Sequence, residues 1–178
     1  MKNKIVKEVL ISMEQIETRC KELGAQISKD YEGKSFIVVG LLKGSVPFLA
    51  ELSKYLDGDI EFDFMDVSSY DGTESIGDVK INKDLDKSIK GLNILLVEDI
   101  VDTGRTLNTV KKLMYNKGAN DVKIVTLLDK PERRVVTIDC DFIGFEIPDA
   151  FVVGFGLDYN QKFRQLPMIA ILDESVYS

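Results

Sequence analysis

Apolar residues recur every three or four positions near the start of the chain, which predicts an amphipathic helix from Met13 to about Tyr31. Ser12 and Gln15 have the spacing of a capping box, in which each side chain accepts a hydrogen bond from the backbone amide of the other. Gly33 follows as a stop signal. The apolar stripe that would face a core consists of Ile16, Cys20, Leu23 and Ile27.

Two more helices are predicted downstream. One begins after Gly44-Ser45 and tolerates Pro47, because a proline in the first turn lacks an amide that would have no partner there anyway. The other runs from about Thr106 to Asn116, and Gly118 fits the position just past its end. The inner faces are formed by Phe48, Leu49, Leu52 and Leu56 in the first helix and by Leu107, Val110 and Met114 in the second.

Short apolar runs rich in β-branched residues alternate with these helices and predict buried strands. Ile60–Phe64 alternates apolar and acidic residues, which is typical of a half-exposed strand. Tyr70 to Asp78 combines glycines with small polar residues and predicts a mobile loop. The other predicted strands are Phe36–Leu42, Asn93–Val97, Val122–Leu128, Phe151–Gly154 and Met168–Leu172.

Strands that alternate with helices predict an α/β fold with a mostly parallel central sheet flanked by helices. The length of 178 residues predicts one domain, residues 1–178. In such sheets ligands bind at the carboxyl ends of the strands. The turns that follow the strands are therefore where functional residues are expected.

Composition narrows the chemistry. The net charge of −7 argues against a broad basic face for nucleic acid or anionic lipid. No apolar stretch approaches the roughly 20 residues of a membrane span. Histidine is absent, which excludes histidine-based triads and His-ligated zinc sites. The two cysteines, Cys20 and Cys140, are interpreted as small buried residues in a reducing cytoplasm.

One strand-to-helix turn stands out, the segment from Val97 to Thr106. Glu98, Asp99 and Asp102 would repel one another at the end of an apolar strand unless they serve a ligand. Thr103-Gly104-Arg105-Thr106 then offers hydroxyls, free helix amides and a close backbone approach, which together suit a phosphate. The bland alternative is a solvated acidic turn with an aspartate helix cap.

The sequence does not match two other common nucleotide-binding motifs. No segment matches the phosphate loop that ends in Gly-Lys-Ser/Thr, and Gly154-Phe-Gly156 lacks the third glycine of a dinucleotide fingerprint. Kinase and dehydrogenase interpretations therefore have little support.

The segment from Val97 to Thr106 resembles the phosphoribosyl pyrophosphate signature of type I phosphoribosyltransferases, and the flanking motifs resemble the bacterial hypoxanthine-guanine branch of that family. Arg105 stands where some relatives carry lysine. The resemblance covers roughly residues 36 to 172, with the motifs in the order of the family. Those motifs are Leu41-Leu42-Lys43-Gly44, Ser69-Tyr70, Leu127-Leu128-Asp129-Lys130, Gly144–Pro148 and Asp158-Tyr159-Asn160 through Phe163-Arg164.

The resemblance implies a type I phosphoribosyltransferase fold with a small hood and a mobile lid loop that begins at Ser69 and Tyr70. It also implies a reaction in which a ring nitrogen of hypoxanthine or guanine displaces pyrophosphate from phosphoribosyl pyrophosphate, giving IMP or GMP. A homodimer or homotetramer is expected. The peptide that precedes the lysine at the position of Lys43 is often cis in the family, and the sequence leaves open whether Leu42–Lys43 is cis. No nucleic-acid or membrane partner is expected, and a cytoplasmic location is expected.

The same resemblance assigns a role to each motif residue. Asp102 would be the general base at purine N7, and an enclosed site would suit an aspartate to this task. Glu98 and Asp99 would hold the ribose hydroxyls and one Mg²⁺, and Asp158 a second Mg²⁺. The remaining contacts are Thr103, Gly104, Arg105 and Thr106 to the 5′-phosphate, Lys43, Gly44 and Arg164 to pyrophosphate, and Lys130, Phe151 and Val152 to the purine.

Two alternatives remain open from the residues. Some relatives of these enzymes bind RNA and act as regulators, which the acidic composition opposes. A phospho-accepting receiver domain also has acids at strand ends and a lysine after a later strand, but nothing in it requires the Thr103-Gly104 cradle.

Overall fold

The computed structural model describes residues 5–69 and 79–176. These residues form three α-helices, Met13–Asp30 (α1), Val46–Ser53 (α2) and Arg105–Asn116 (α3), and two short 3₁₀ turns at Pro131–Arg133 and Glu174–Val176. They also form nine strands: Val6–Ile11 (β1), Ser35–Leu42 (β2), Asp59–Ser69 (β3), Val79–Lys83 (β4), Asn93–Val101 (β5), Asp121–Asp129 (β6), Phe142–Glu146 (β7), Val152–Val153 (β8) and Ile169–Leu172 (β9).

Helix α1 begins where its capping box predicts. The Gln15 amide donates to Ser12 Oγ at 3.3 Å, and the Ser12 amide donates to Gln15 Oε1 at 2.8 Å. The predicted apolar stripe of this helix is fully buried. Such a cap contributes about 1 kcal/mol, so the buried stripe supplies most of the stability of α1.

The central sheet has the strand order β4-β3-β2-β5-β6-β7. Strands β2, β3, β5, β6 and β7 run parallel, and β4 pairs antiparallel with β3 at the edge. The prediction of a mostly parallel α/β sheet flanked by helices is confirmed.

Side chains of alternate residues in the central strands pack into two hydrophobic clusters, one on each face of the sheet. Val38, Val97 and Leu127 pack with α1 and α2 on one face. On the other face, Leu96 and Ile124 pack with α3. The strands are buried on both sides, which explains their nearly continuous apolar sequences.

A second sheet, of three antiparallel strands in the order β1-β9-β8, corrects one expectation. The pattern predicts that Phe151–Gly154 and Met168–Leu172 add two strands to the alternating series. In the structure β8 and β9 pair with each other instead, and β9 pairs with β1. A return of this kind between consecutive strands needs no crossover helix. Strand β1 escaped prediction because its middle residues, including Lys7 and Glu8, are exposed and break the apolar run.

Strand β5 is longer than predicted. It continues past Val97 to Val101, and Glu98 and Val101 pair with Thr126 and Asp129 of β6. Parallel pairing with β6 therefore keeps Glu98 and Asp99 within the strand, and the turn starts at Asp102.

The predicted mobile lid falls largely outside the described residues. Ser69 is the last residue of β3 and pairs with Val79 of β4, whereas Tyr70 and the rest of 70–78 are not described. In the part of the chain that is described, no helix combines the length and apolar character needed to cross a bilayer.

Candidate active site

The turn after β5 leads directly into α3. Gly104 has a left-handed φ of +80° and precedes the first helical residue, Arg105. A Cβ at Gly104 would lie 2.8 Å from Ile138 Cγ2, so a side chain there is excluded by both conformation and space. The amides of the first helical turn lack intrahelical acceptors, which makes this end of α3 a suitable anion site.

A cavity of about 260 Å³ opens in front of this turn. Thr103, Gly104 and Thr106 line it together with Asp99. Arg105 is exposed and is not part of this lining. Three of the four predicted phosphate-binding residues therefore face one cavity, whereas the Arg105 side chain points elsewhere.

Glu98 and Asp99 form a carboxylate pair on the same wall. Asp99 Oδ1 accepts a hydrogen bond from the Ile100 amide at 2.7 Å, and Glu98 Oε1 accepts one from the Asp99 amide at 3.0 Å. Burial, together with the charge of Asp99, raises the pKa of Glu98 well above its usual range. Burial also raises the pKa of Asp99, although hydrogen bonds from Glu98 and Ile100 and the charge of Arg164 oppose that rise. A pair of this kind is suited to a cation that would relieve the repulsion.

Gly44 brings the loop after β2 against this pair. A Cβ at Gly44 would lie 1.6 Å from Asp99 Oδ2, so the backbone approaches closer than any side chain would permit. The preceding peptide, Leu42–Lys43, is cis, a point that the sequence left open. Lys43 itself is exposed, while Gly44 is buried.

The loop after β8 packs on the loop after β2. A Cβ at Gly156 would lie 1.9 Å from the Gly44 carbonyl oxygen. Arg164 Nη1 donates to the Gly156 carbonyl at 2.6 Å, and Arg164 Nη2 lies 3.0 Å from Asp158 Oδ1. The fold thus brings Gly44 and Arg164, from two separate loops, close to Asp99 near the carboxyl end of β5.

The three predicted metal ligands do not form one cluster. Asp158 is paired with Arg164 and accepts from the Gln161 amide at 2.7 Å. Across residues 5–69 and 79–176, no three acidic or cysteine side chains come close enough to hold a metal by themselves. An ion near Glu98 and Asp99 would therefore need further oxygen ligands from a substrate or from water.

A second cavity, of about 380 Å³, holds the predicted purine residues. Lys130 is 8% exposed, and its Nζ donates to the Ala150 carbonyl at 2.7 Å. Phe151 is 42% exposed and meets Tyr159 edge to face at 5.7 Å between ring centroids. Val152 is buried in β8 and also lines the cavity.

Sequence reasoning missed five further residues of this wall: Ile100, Arg133, Asp149, Ala150 and Leu157. Ile100 lies inside the acidic segment, where the charged neighbours give the pattern and an apolar residue has no signal of its own. Arg133 and Asp149 belong to segments without a chemical pattern of their own, and their ion pair at 3.6 Å joins residues far apart in the chain. No signal in a single sequence predicts such a contact.

The two cavities share Ile100 and Asp102. Asp102 directly follows β5 and lies between the Thr103–Thr106 turn of the first cavity and the Lys130 and Phe151 side chains of the second. Ligands bound in the two cavities would therefore meet beside this carboxylate.

Comparison with known proteins agrees with this geometry. Residues 10–160 match the phosphoribosyl transferase domain family. The chain belongs to this family. It is 55% identical over 177 residues to the hypoxanthine-guanine phosphoribosyltransferase of Lactococcus lactis, a match that covers 99% of this chain and 96% of that protein. With the enzyme of the same name from Streptococcus mutans it shares 53% over 174 residues, covering 97% of each.

Solved structures give the same picture for this phosphoribosyltransferase fold. A hypoxanthine phosphoribosyltransferase from Staphylococcus aureus superposes with a TM-score of 0.95 at 51% identity and covers 100% of this chain and 97% of that one. A hypoxanthine-guanine phosphoribosyltransferase from Bacillus anthracis, with a HEPES molecule in its active site, gives 0.90 at 44% identity, covering 94% and 99%.

The family predicted from the motifs and the enzyme class are thereby confirmed. The comparisons favour a phosphoribosyltransferase of the hypoxanthine-guanine branch over both a receiver domain and an RNA-binding regulator.

Proposed function

We propose that this chain transfers the 5-phosphoribosyl group from phosphoribosyl pyrophosphate to hypoxanthine or guanine in purine salvage, releasing pyrophosphate and forming IMP or GMP. The position of Asp102, in the walls of both cavities, carries the proposal. A reaction that joins a phosphorylated sugar to a flat base needs two adjacent cavities with a proton acceptor between them.

The sugar-phosphate side is assigned to the first cavity. Thr103, Gly104 and Thr106 bind the 5′-phosphate at the start of α3, and Glu98 and Asp99 bind the ribose hydroxyls. Arg105 contributes through its backbone amide, since its side chain is exposed. Lys43, Gly44 and Arg164 bind the pyrophosphate, with the planar guanidinium suited to two phosphate oxygens.

The donor set fits magnesium. Glu98 and Asp99 offer hard carboxylate oxygens, burial raises the pKa of both groups, and Mg²⁺ accepts its remaining ligands from phosphates and water. Asp158 would serve a second ion on the pyrophosphate side. Mg²⁺ bound at these residues would neutralise charge on the departing pyrophosphate.

The base is assigned to the second cavity. Phe151 stacks on the purine, Val152 binds its edge through backbone groups, and Lys130 donates to O6. Asp102 accepts the proton from N7 as the new bond to the ribose forms. An aspartate beside a ribose that gains positive charge also stabilises that charge electrostatically.

Assembly and location complete the proposal. Residues 1–178 act as one catalytic domain, since the two hydrophobic clusters share the same sheet. A homodimer or homotetramer is expected from the family resemblance. The two free cysteines suit a reducing cytoplasm.

The test is a spectrophotometric assay with phosphoribosyl pyrophosphate, Mg²⁺ and each of hypoxanthine, guanine, xanthine and adenine. Turnover of hypoxanthine or guanine that chelation abolishes supports the proposal, and no turnover of either base contradicts it. Asp102→Asn should lower kcat by about 10²–10⁴ with little change in KM for phosphoribosyl pyrophosphate, because a positioned base acts in the transition state. Near-normal kcat in this variant would remove Asp102 from its role.

A further inference from the structure

Four charged side chains of alternating sign connect the two ends of the purine cavity. Asp102 Oδ1 accepts a hydrogen bond from Arg133 Nε at 3.0 Å. Arg133 Nη1 lies 3.6 Å from Asp149 Oδ2, and Asp149 Oδ1 lies 3.7 Å from Lys130 Nζ. Arg133 therefore stands between the residue assigned to N7 and the residue assigned to O6.

Arg133 and Arg134 contact different parts of Asp102. Arg134 Nη1 donates to the backbone carbonyl oxygens of Val101 at 3.2 Å and Asp102 at 2.7 Å, and its Nη2 pairs with Asp129. Arg134 thus fixes the main chain of the turn. Arg133 is the residue that contacts the Asp102 carboxylate itself.

The contact restricts a side chain that would otherwise rotate. The Asp102 side chain is 43% exposed, so burial alone does not select its rotamer. The bond from Arg133 Nε to Oδ1 restricts the rotation of the carboxylate and engages one of its two oxygens. An ion pair this exposed adds little to folding stability, so its main effect is on orientation.

Arg133 forms part of the cavity wall and does not fill the cavity. The space of about 380 Å³ is present with the Arg133–Asp102 contact already made. The hydrogen bond with Asp102, and the charges of Asp102 and Asp149, raise the pKa of Arg133, so its charge persists at any working pH. A purine can therefore enter without displacing the arginine.

We propose that Arg133 is a positioning residue for the transfer reaction: it orients the Asp102 carboxylate toward the purine, and Asp149 holds it from the other side. This inference rests on the proposed function, in which Asp102 accepts the purine proton. It adds to that function a residue that acts through the base and contacts neither the sugar nor the phosphates.

A double-mutant cycle tests the proposal. Arg133→Met keeps most of the side-chain stem but removes the donor, and it should lower kcat for hypoxanthine or guanine about tenfold, the worth of one hydrogen bond to a charged group. KM for phosphoribosyl pyrophosphate should stay within about twofold. Arg133→Lys should recover part of the loss. In the Asp102→Asn background, Arg133→Met should have almost no further effect, because the group through which it acts is gone.

Lys87→Met is the matched control. It removes the same charge from an ion pair with Glu61, near the amino end of β3 and away from the carboxyl edge of the sheet. Its kinetics should equal those of the wild type. Melting temperatures of all variants show whether a loss of rate reflects unfolding.

The outcomes separate the two proposals. If Asp102→Asn itself turns over normally, the assignment of the base is wrong. If Asp102→Asn is slow but Arg133→Met is as fast as the wild type, or equally harmful in both backgrounds, the role of Arg133 is overturned. Should Arg133→Met fail to fold, Arg133→Lys and Asp149→Asn carry the same cycle, and additive losses there count against the proposal.

Discussion

The contact of Gly44 with Asp99 allows one perturbation to be worked out from distances. In Gly44→Ala the new Cβ would start 1.6 Å from Asp99 Oδ2, whereas an ordinary contact begins at 3.4 Å. The two atoms must therefore separate by about 1.8 Å, the difference of these distances. Gly156 presses on the carbonyl side of the same loop, so the loop has little room to retreat, and Asp99 is the group that moves.

A carboxylate displaced this far no longer holds the ribose hydroxyls or the ion in register. Misplacement of a positioned group by about 1 Å can lower the rate about 10²-fold. We expect Gly44→Ala to lower kcat/KM for phosphoribosyl pyrophosphate by about 10²-fold or more and to raise the Mg²⁺ concentration needed for half-maximal rate. The measurement is initial rate against phosphoribosyl pyrophosphate at several fixed Mg²⁺ concentrations.

Gly33→Ala provides the control for this variant. Its φ of +72° disfavours alanine by about 1 kcal/mol, a conformational penalty that Gly44 does not carry, but a Cβ there meets no atom within 4 Å. It should lose some stability and keep full activity. A folded Gly44→Ala enzyme with kcat/KM within twofold of the wild type would refute the steric reasoning.

Two further predictions concern the wall residues. Lys130 carries donors but no acceptor, so Lys130→Gln should lower kcat/KM for hypoxanthine and weaken the exclusion of adenine, measured as the ratio of the two values; an unchanged ratio would contradict the O6 assignment. Because the pKa of Glu98 in the folded protein is raised above its ordinary 4.5, its contribution to stability is present at low pH and is lost as pH rises through the raised value. Glu98→Gln should therefore raise the melting temperature of the metal-free protein at pH 7 and lose that advantage near pH 4, and equal melting curves at pH 7 would sink this explanation.

Local patterns in the sequence determined much of the secondary structure. The capping box and the 3.6-residue stripe sufficed for α1, because both act between residues a few positions apart. The strands β2, β5 and β6 were also predictable from the sequence. A strand that is covered on both faces must be apolar nearly throughout, so it appears as an uninterrupted apolar run. The Thr103–Thr106 cradle was also readable, because helix start, glycine and hydroxyls are adjacent in the chain.

Tertiary structure decided what depends on distant segments. The second sheet joins β1 to β9 across most of the chain, and no local period signals that pairing. The length of β5 came from its partner β6, which continues the ladder to Val101. The contacts of Gly44 with Asp99 and of Gly156 with Gly44 depend on how two loops meet the carboxyl end of β5 at one edge of the sheet.

The site shows the same division. The family resemblance predicts Asp102 as the base and Lys130 as a purine contact, because both stand in recognisable motifs of the sequence. Arg133 has no such signal, because the role proposed for it depends on an ion pair with a carboxylate 31 positions earlier. Charge and hydrogen-bonding capacity belong to a residue type and can be found in the sequence, whereas the partner that makes use of them is chosen by packing.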